Sequence, residues 1–204
     1  LYGDVPLIRK NTLKKLFSLN DSLSILTANI SDPTGYGRVL KDPNGLVEEI
    51  IEEKDTNDQQ KNIKEIFTGV MVVNGKILKE LIPLINNNNA SKEYYLTDLI
   101  GIANSNGFKI ETLSVSWEET LGANTRSEQE KLEQIYRKMK NEELLKNGIT
   151  LIDKNRVDVR GDLQAGVDCT IDVNVIFEGK VELGNNVSIG ANTIINNTKI
   201  GDNS

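Results

Sequence analysis

The stretch IDVNVIFEGKVELGNNVSIGANTII, residues 171–195, places a bulky apolar side chain at every sixth position: Ile171, Phe177, Leu183, Ile189 and Ile195. Val175, Val181, Val187 and Thr193 recur in phase, four residues after each of the first four. Glycine follows some of these anchors, as in Leu183-Gly184 and Ile189-Gly190. An amphipathic helix cannot produce a period of six. Inward aliphatics with Gly or Asn at the corners are the hexapeptide signature of a parallel β-helix. Two to three coils are expected between about Arg160 and Ser204, ending mid-repeat. Because the end coils of a solenoid need capping, the C-terminus is expected to be truncated. Repeats of this type chiefly build a scaffold, so the chemistry is sought upstream.

Working backward, Asn147-Gly148 reads as the C-cap of a long charged helix. Leu132, Ile135, Tyr136 and Met139 form its apolar stripe, and SEQE, Ser127–Glu130, supplies a capping box. A charged helix at a break in composition reads as an interdomain arm. Gly122-Ala123-Asn124-Thr125-Arg126 precedes it.

The first 120 or so residues alternate between strand and helix patterns. Asn11–Leu19 has helical spacing, with Asn11 or Thr12 as N-cap. Leu23–Ile30 and Phe67–Val73 read as buried strands, the second central, and Phe108–Val115 as another. Arg38–Leu40 and Leu46–Ile51 flank DPNG, a hairpin signal. Lys76–Ile85 and the residues after Glu93-Tyr94-Tyr95-Leu96-Thr97-Asp98 read as helices, the latter stopped at Gly107; Tyr94 and Tyr95 are expected to pack. DPTGYGR, Asp32–Arg38, is an irregular loop in which glycine lets backbone approach a ligand. The acidic run Glu52-Glu53-Lys54-Asp55 is either a solvated face or a source of one carboxylate for a sugar hydroxyl. This alternation, with one inserted hairpin, indicates an α/β domain with a mixed sheet.

At the start, LYGDVPLI reads as the end of a buried strand (Leu1-Tyr2), a turn at Gly3, and a carboxylate, Asp4, at the crevice where open α/β sheets hold ligands. Pro6 turns the chain away. A lone Asp there is either a turn residue or a hard-cation ligand. Mg²⁺ bridging phosphates needs only one or two protein ligands.

Composition removes whole classes of chemistry. The 204 residues contain no histidine, which excludes Ser-His-Asp triads and HExxH zinc sites, and one cysteine, Cys169, which excludes a Cys-rich zinc site and an internal disulfide. The single cysteine fits a reducing compartment. A net charge of −6 argues against nucleic acid. No apolar run approaches the roughly 18 residues of a membrane span. Leu1 is not an initiator Met, so the N-terminus too is expected to be absent and carries no targeting information.

An α/β domain carrying LYGDVPLI, DPTGYGR and GANTR, joined by a charged helix to hexapeptide coils, resembles the bacterial bifunctional UDP-N-acetylglucosamine pyrophosphorylase/glucosamine-1-phosphate N-acetyltransferase family. The resemblance covers essentially the whole chain, and the order of the motifs makes it specific. It implies an α/β nucleotidyltransferase fold, a Rossmann-like mixed sheet truncated at its N-terminus, over residues 1–126. A linker helix over 127–147 and the first coils of a left-handed parallel β-helix over 148–204 would follow. It implies Mg²⁺ bound by Asp4 and Asn124, nucleotide-sugar contacts at Tyr2 and Gly3, and N-acetylglucosamine contacts at Gly37 and Glu52. One departure is Phe67, in Glu65-Ile66-Phe67-Thr68-Gly69, where the family reads E-I-N-T-G; a phenyl replaces an amide that would bond the sugar. The implied reaction is uridylyl transfer from UTP to N-acetylglucosamine-1-phosphate with release of pyrophosphate, a cytoplasmic step toward peptidoglycan and lipopolysaccharide. In-line positioning and neutralisation of phosphate charge are its main demands. Acetyl transfer from acetyl-CoA to glucosamine-1-phosphate, in a homotrimer, would use a histidine and later coils that this chain lacks. The family's upstream Gly-rich loop is missing too, so the chain is expected to be an internal fragment, inactive alone. Two alternatives stand beside this: another sugar-1-phosphate nucleotidyltransferase with a β-helix tail, and a non-catalytic regulatory or assembly subunit.

Overall fold

The computed structural model describes residues 3–19 and 22–204. They form two compact units, the first ending at Ala123 and the second running Asn124–Ser204.

The first unit is a five-stranded mixed sheet with helices on both faces. In chain order its elements are α1 (Lys10–Leu19), β1 (Leu23–Asn29), β2 (Arg38–Lys41), β3 (Val47–Ile51), β4 (Glu65–Val73), α2 (Gly75–Leu81), α3 (Asp98–Ser105) and β5 (Ile110–Val115). The sheet order is β3-β2-β4-β1-β5. Only β1 and β5 run parallel; β4 is antiparallel to both β1 and β2. The Rossmann-like expectation therefore reduces to one parallel pair in a mixed sheet. The β2–β3 hairpin and the antiparallel return of β4 occupy the other positions.

Strand β1 is buried from Leu23 through Ala28, which explains its unbroken run of non-charged residues. Its alternation divides the core. Leu23 and Ile25 pack with Leu81 of α2 and Leu99, Ile100 and Ala103 of α3, while Leu26 packs with Leu16 of α1. Between Ile25 and Thr27 the pairing with β4 shifts, because residues 68–70 bulge out opposite Leu26. Gly69 takes φ +81° there, and the Thr68 hydroxyl donates to the Leu26 carbonyl at 2.9 Å. The DPNG hairpin forms as expected, with the Asp42 carboxylate accepting the N–H groups of Asn44 and Leu46.

Several local expectations are corrected. Asn11 and Thr12 lie inside α1 rather than capping it; the Arg9 N–H just before the helix is satisfied by the distant Glu119 carboxylate at 3.0 Å. Phe17 and Tyr94 are exposed, so Tyr94 is not core. Helix α2 ends at Leu81, and residues around Pro83 continue as a 3-10 turn because Pro lacks the N–H that another α-turn needs.

The second unit opens with α4 (Arg126–Lys146), followed by β6 (Thr150–Leu151), β7 (Val157–Ala165), β8 (Thr170–Ile171), β9 (Val175–Leu183), β10 (Ser188–Ile189), β11 (Ile194–Asn196) and β12 (Lys199–Ile200). All strand pairs are parallel. β7 and β9 match over nine residue pairs, from Val157↔Val175 to Ala165↔Leu183, a rise of 18 residues per rung. β11 continues the ladder from β9, and β8 and β10 form another at the same interval. Ile171, Phe177, Leu183, Ile189 and Ile195 join Val175, Val181 and Val187 in one core. These parallel strands start earlier than Arg160, at Thr150, with Leu151, Val157, Val159, Leu163 and Ala165 in that core. The corners are asparagines and one aspartate in the left-handed region, Asp168, Asn174, Asn186, Asn192, Asn197 and Asn203. Two of these stack in a side-chain bond from Asn174 to Asn192 at 2.8 Å.

The α4 capping box is Thr125–Glu128, not Ser127–Glu130. Its buried residues are Leu132, Asn141 and Leu144, so the expected stripe holds at Leu132, while Tyr136 is exposed. The Asn141 amide donates to the carbonyls of Lys154 and Val157, seating the helix on the first coil. Asn147 and Gly148 close the helix as expected, with Gly148 at φ +84°.

Candidate functional site

Gly37 lies at the end of the Asp32–Tyr36 loop, where the chain enters β2. The loop is shaped by Asp32, whose carboxylate accepts both the N–H and the hydroxyl of Thr34 and is held below the usual carboxylate range by them. Tyr36 stands edge-on to Trp117, with ring centroids 5.1 Å apart. The Gly37 carbonyl accepts the N–H of Phe67 at 2.9 Å, while its own N–H has no partner among the described residues.

Space explains the glycine. A Cβ on Gly37 would lie 2.9 Å from Ile50 Cγ2 and 3.7 Å from both carboxylate oxygens of Glu52. The backbone and the carboxylate therefore lie side by side. Glu52 accepts the Thr97 hydroxyl at 2.7 Å, which fixes one of its oxygens. Thr97 immediately precedes α3, in the lead-in to that helix. Its signal was its place beside an acidic helix start, too weak to single out. Asp98 is raised above the usual range, first by burial and then by the charges of Glu52 and Asp55.

The acidic run Glu52–Asp55 is therefore not a plain solvated face. Glu53 pairs with the buried Arg38, and Asp55 accepts the Ala90 N–H at 2.8 Å. Arg38 also went unnoticed, although a charged residue leading a strand of Val and Leu is a legible anomaly.

Asp4 sits in an exposed turn. Its carbonyl accepts the Ala123 N–H at 3.1 Å, and a Cβ on Gly122 would lie 3.5 Å from its Oδ2. The glycine leaves the carboxylate open on that side. Gly3 shares the turn, and a Cβ on it would meet nothing within 4 Å. Tyr2, like Leu1, lies outside the described residues. Asn124 is exposed and begins the second unit; its backbone N–H donates to the Glu128 carboxylate at 2.9 Å, and its side-chain amide has no partner among the described residues. Among those residues no three His, Cys, Asp or Glu side chains cluster as a metal cage. An open carboxylate oxygen suits Mg²⁺, which keeps waters and substrate phosphates as its other ligands.

Phe67, the departure from the family's E-I-N-T-G, is a core residue: its ring is 7% exposed and packs with Leu23, Ile25 and Val39.

No protein-family model matches this chain. A solved structure described as UDP-glucose phosphorylase from Trypanosoma brucei is similar over 98% of this chain and 55% of that one, with 13% identity and a TM-score of 0.40. The chain thus spans about half the length of that protein, and a likeness at this score carries no argument about activity. No helix among the described residues is long and apolar enough to cross a membrane.

Proposed function

We propose that the first unit belongs to a sugar-1-phosphate nucleotidyltransferase. The observation that carries this is the Gly37 backbone packed beside the Glu52 carboxylate, with an N–H that has no partner among the described residues. A sugar hydroxyl both donates and accepts, so a fixed acceptor next to a free backbone donor is matched to a pair of ring hydroxyls. Thr97 holds the carboxylate in place. A sugar lacking the matching hydroxyl would leave these groups unpaired, so a site of this kind discriminates strongly among substrates.

The particular reaction we favour is uridylyl transfer to N-acetylglucosamine-1-phosphate. The motif order LYGDVPLI, DPTGYGR and GANTR supports it, together with the coils of the second unit, read as the start of a left-handed parallel β-helix. In that reading the resemblance assigns Mg²⁺ to Asp4 and Asn124, and the bound ion would neutralise phosphate charge. Asp4 offers its open carboxylate and Asn124 a neutral amide. Gly37 and Glu52 orient the sugar so that its 1-phosphate lies in line with the α-phosphorus, and positioning supplies much of the catalysis. Acetyl transfer, a homotrimer and a cytoplasmic setting belong to the same proposal.

The test is calorimetric titration of UDP-N-acetylglucosamine, with and without Mg²⁺, into the full-length protein and its Glu52→Gln and Asp4→Ala variants. Glu52→Gln is expected to weaken binding by about tenfold at either metal level, since a hydrogen bond to a charged group contributes about 1.5–3 kcal/mol. Asp4→Ala is expected to remove only the Mg²⁺-dependent part. Wild-type protein that binds no nucleotide sugar would favour the regulatory or assembly reading.

A further inference from the structure

Arg38 is 1% exposed, the largest fully buried side chain described. One guanidinium nitrogen meets the Glu53 carboxylate at 2.5 Å, and another donates to the Tyr36 carbonyl. The same Glu53 carboxylate accepts the Gly35 N–H at 3.3 Å. The third nitrogen, Nε, is buried without a partner among the described residues. Stability alone does not account for such an arrangement. Replacing a buried ion pair with apolar residues of similar volume is often neutral or stabilising, and an unsatisfied buried donor adds a further cost.

The sequence positions supply the reason. Arg38 directly follows Gly37, and Glu53 directly follows Glu52. We infer that Arg38 and Glu53 are positioning residues for a sugar ligand: their pair locks the Gly37 backbone and the Glu52 carboxylate at a fixed separation. This rests on the sugar-binding reading of those two residues. The guanidinium fork holds the loop carbonyl of Tyr36 and the β3-side carboxylate of Glu53 at once. A lysine keeps the charge but lacks the planar fork. The loop is thereby tied to the end of β3 at Gly35, Tyr36 and Arg38, with the Tyr36–Trp117 contact as a separate tether.

The experiment uses the full-length protein with Arg38→Met, Arg38→Lys and Glu53→Gln. Amide hydrogen exchange is followed at Gly35 and Tyr36, whose N–H groups donate to Glu53 and to the Pro33 carbonyl, and UDP-N-acetylglucosamine binding and uridylyl transfer are measured in parallel. Arg38→Lys, which keeps the charge, is expected to melt near wild type, whereas Arg38→Met and Glu53→Gln, which each leave one partner of the pair unmatched, should melt lower. In all three, exchange at these amides accelerates by at least roughly tenfold. Kd for the nucleotide sugar and KM for the sugar phosphate should rise by about tenfold, with KM for UTP unchanged. Arg38→Lys should fall with Arg38→Met rather than with wild type. Wild-type exchange rates in Arg38→Lys and Glu53→Gln would overturn the lock, even if Arg38→Met failed to fold. Faster exchange with unchanged Kd would overturn the role in ligand binding. Wild-type protein that binds no nucleotide sugar would sink the functional reading, and this inference about a sugar with it.

Discussion

Thr125 accepts the Glu128 N–H on its hydroxyl, and the Glu128 carboxylate takes the N–H groups of Thr125 and Asn124. Two overlapping segments, Thr125–Glu128 and Ser127–Glu130, satisfy the capping-box pattern, and residue types do not choose between them. The choice falls where the chain is still extended, at Thr125 with φ −125° and ψ 158°. Thr125→Ala is expected to destabilise the second unit by about 1 kcal/mol, whereas Ser127→Ala should change it by less than about 0.5 kcal/mol, read from urea midpoints. Phe67 shows the same limit at the site. The family's motif has an amide at that position, and whether a residue in a central strand faces one side of the sheet or the other depends on register. The bulge at Gly69 locally shifts that register, and no local pattern announces it.

At the level of elements, the parallel strands of the second unit were the most legible part, because one core face repeats at a fixed interval and every anchor except Thr193 is buried. The first coil escaped notice because its register is different. Thr150 pairs with Thr170, a rise of 20 residues rather than 18, and its anchors include the small Ala165 and Cys169. The stacked ladder also separates one glycine from another. A Cβ on Gly161 would lie 2.1 Å from the Gly179 carbonyl oxygen on the next rung, whereas one on Gly190 meets nothing within 4 Å. Gly161→Ala should therefore cost about 1–3 kcal/mol, since only backbone movement relieves the clash, and Gly190→Ala should be close to neutral. Chemical denaturation of the two variants side by side checks this.

Over the molecule as a whole, the acidic balance of 30 Asp and Glu against 24 Lys and Arg hides two opposed groups of carboxylates. Glu49 is raised above 4.5 by burial and by Glu48 and Asp98; Asp98 is raised above 3.8 by burial and by Glu52 and Asp55. Their folded values exceed the unfolded ones, so the stability they contribute is full below the unfolded value and is lost as pH rises through the folded one. Asp42 and Glu128 run the other way. Backbone N–H groups, of Leu46 for Asp42 and of Asn124 for Glu128, hold them below 3.8 and 4.5, and their contribution is lost as pH falls through the lowered values. Asp98→Asn should therefore gain stability relative to wild type at neutral pH, with the gain vanishing as pH drops below 3.8. Glu128→Gln should lose stability at neutral pH and converge with wild type in acid. Thermal melts from pH 3 to 8 distinguish the two slopes.

Local pattern alone determined most element types, the recurring apolar positions of the second unit, the hairpin at DPNG and the irregular loop around Gly37, because each rests on periodicity or turn chemistry within a few residues. It also excluded histidine and Cys-rich zinc chemistry outright. Tertiary structure decided what depends on residues far apart in the chain. It brought Thr97 to Glu52 and Ile50 against Gly37, buried Arg38 over Glu53, and turned Phe67 into the core. Sheet register and long-range burial set those contacts, and neither is written in a short window of sequence.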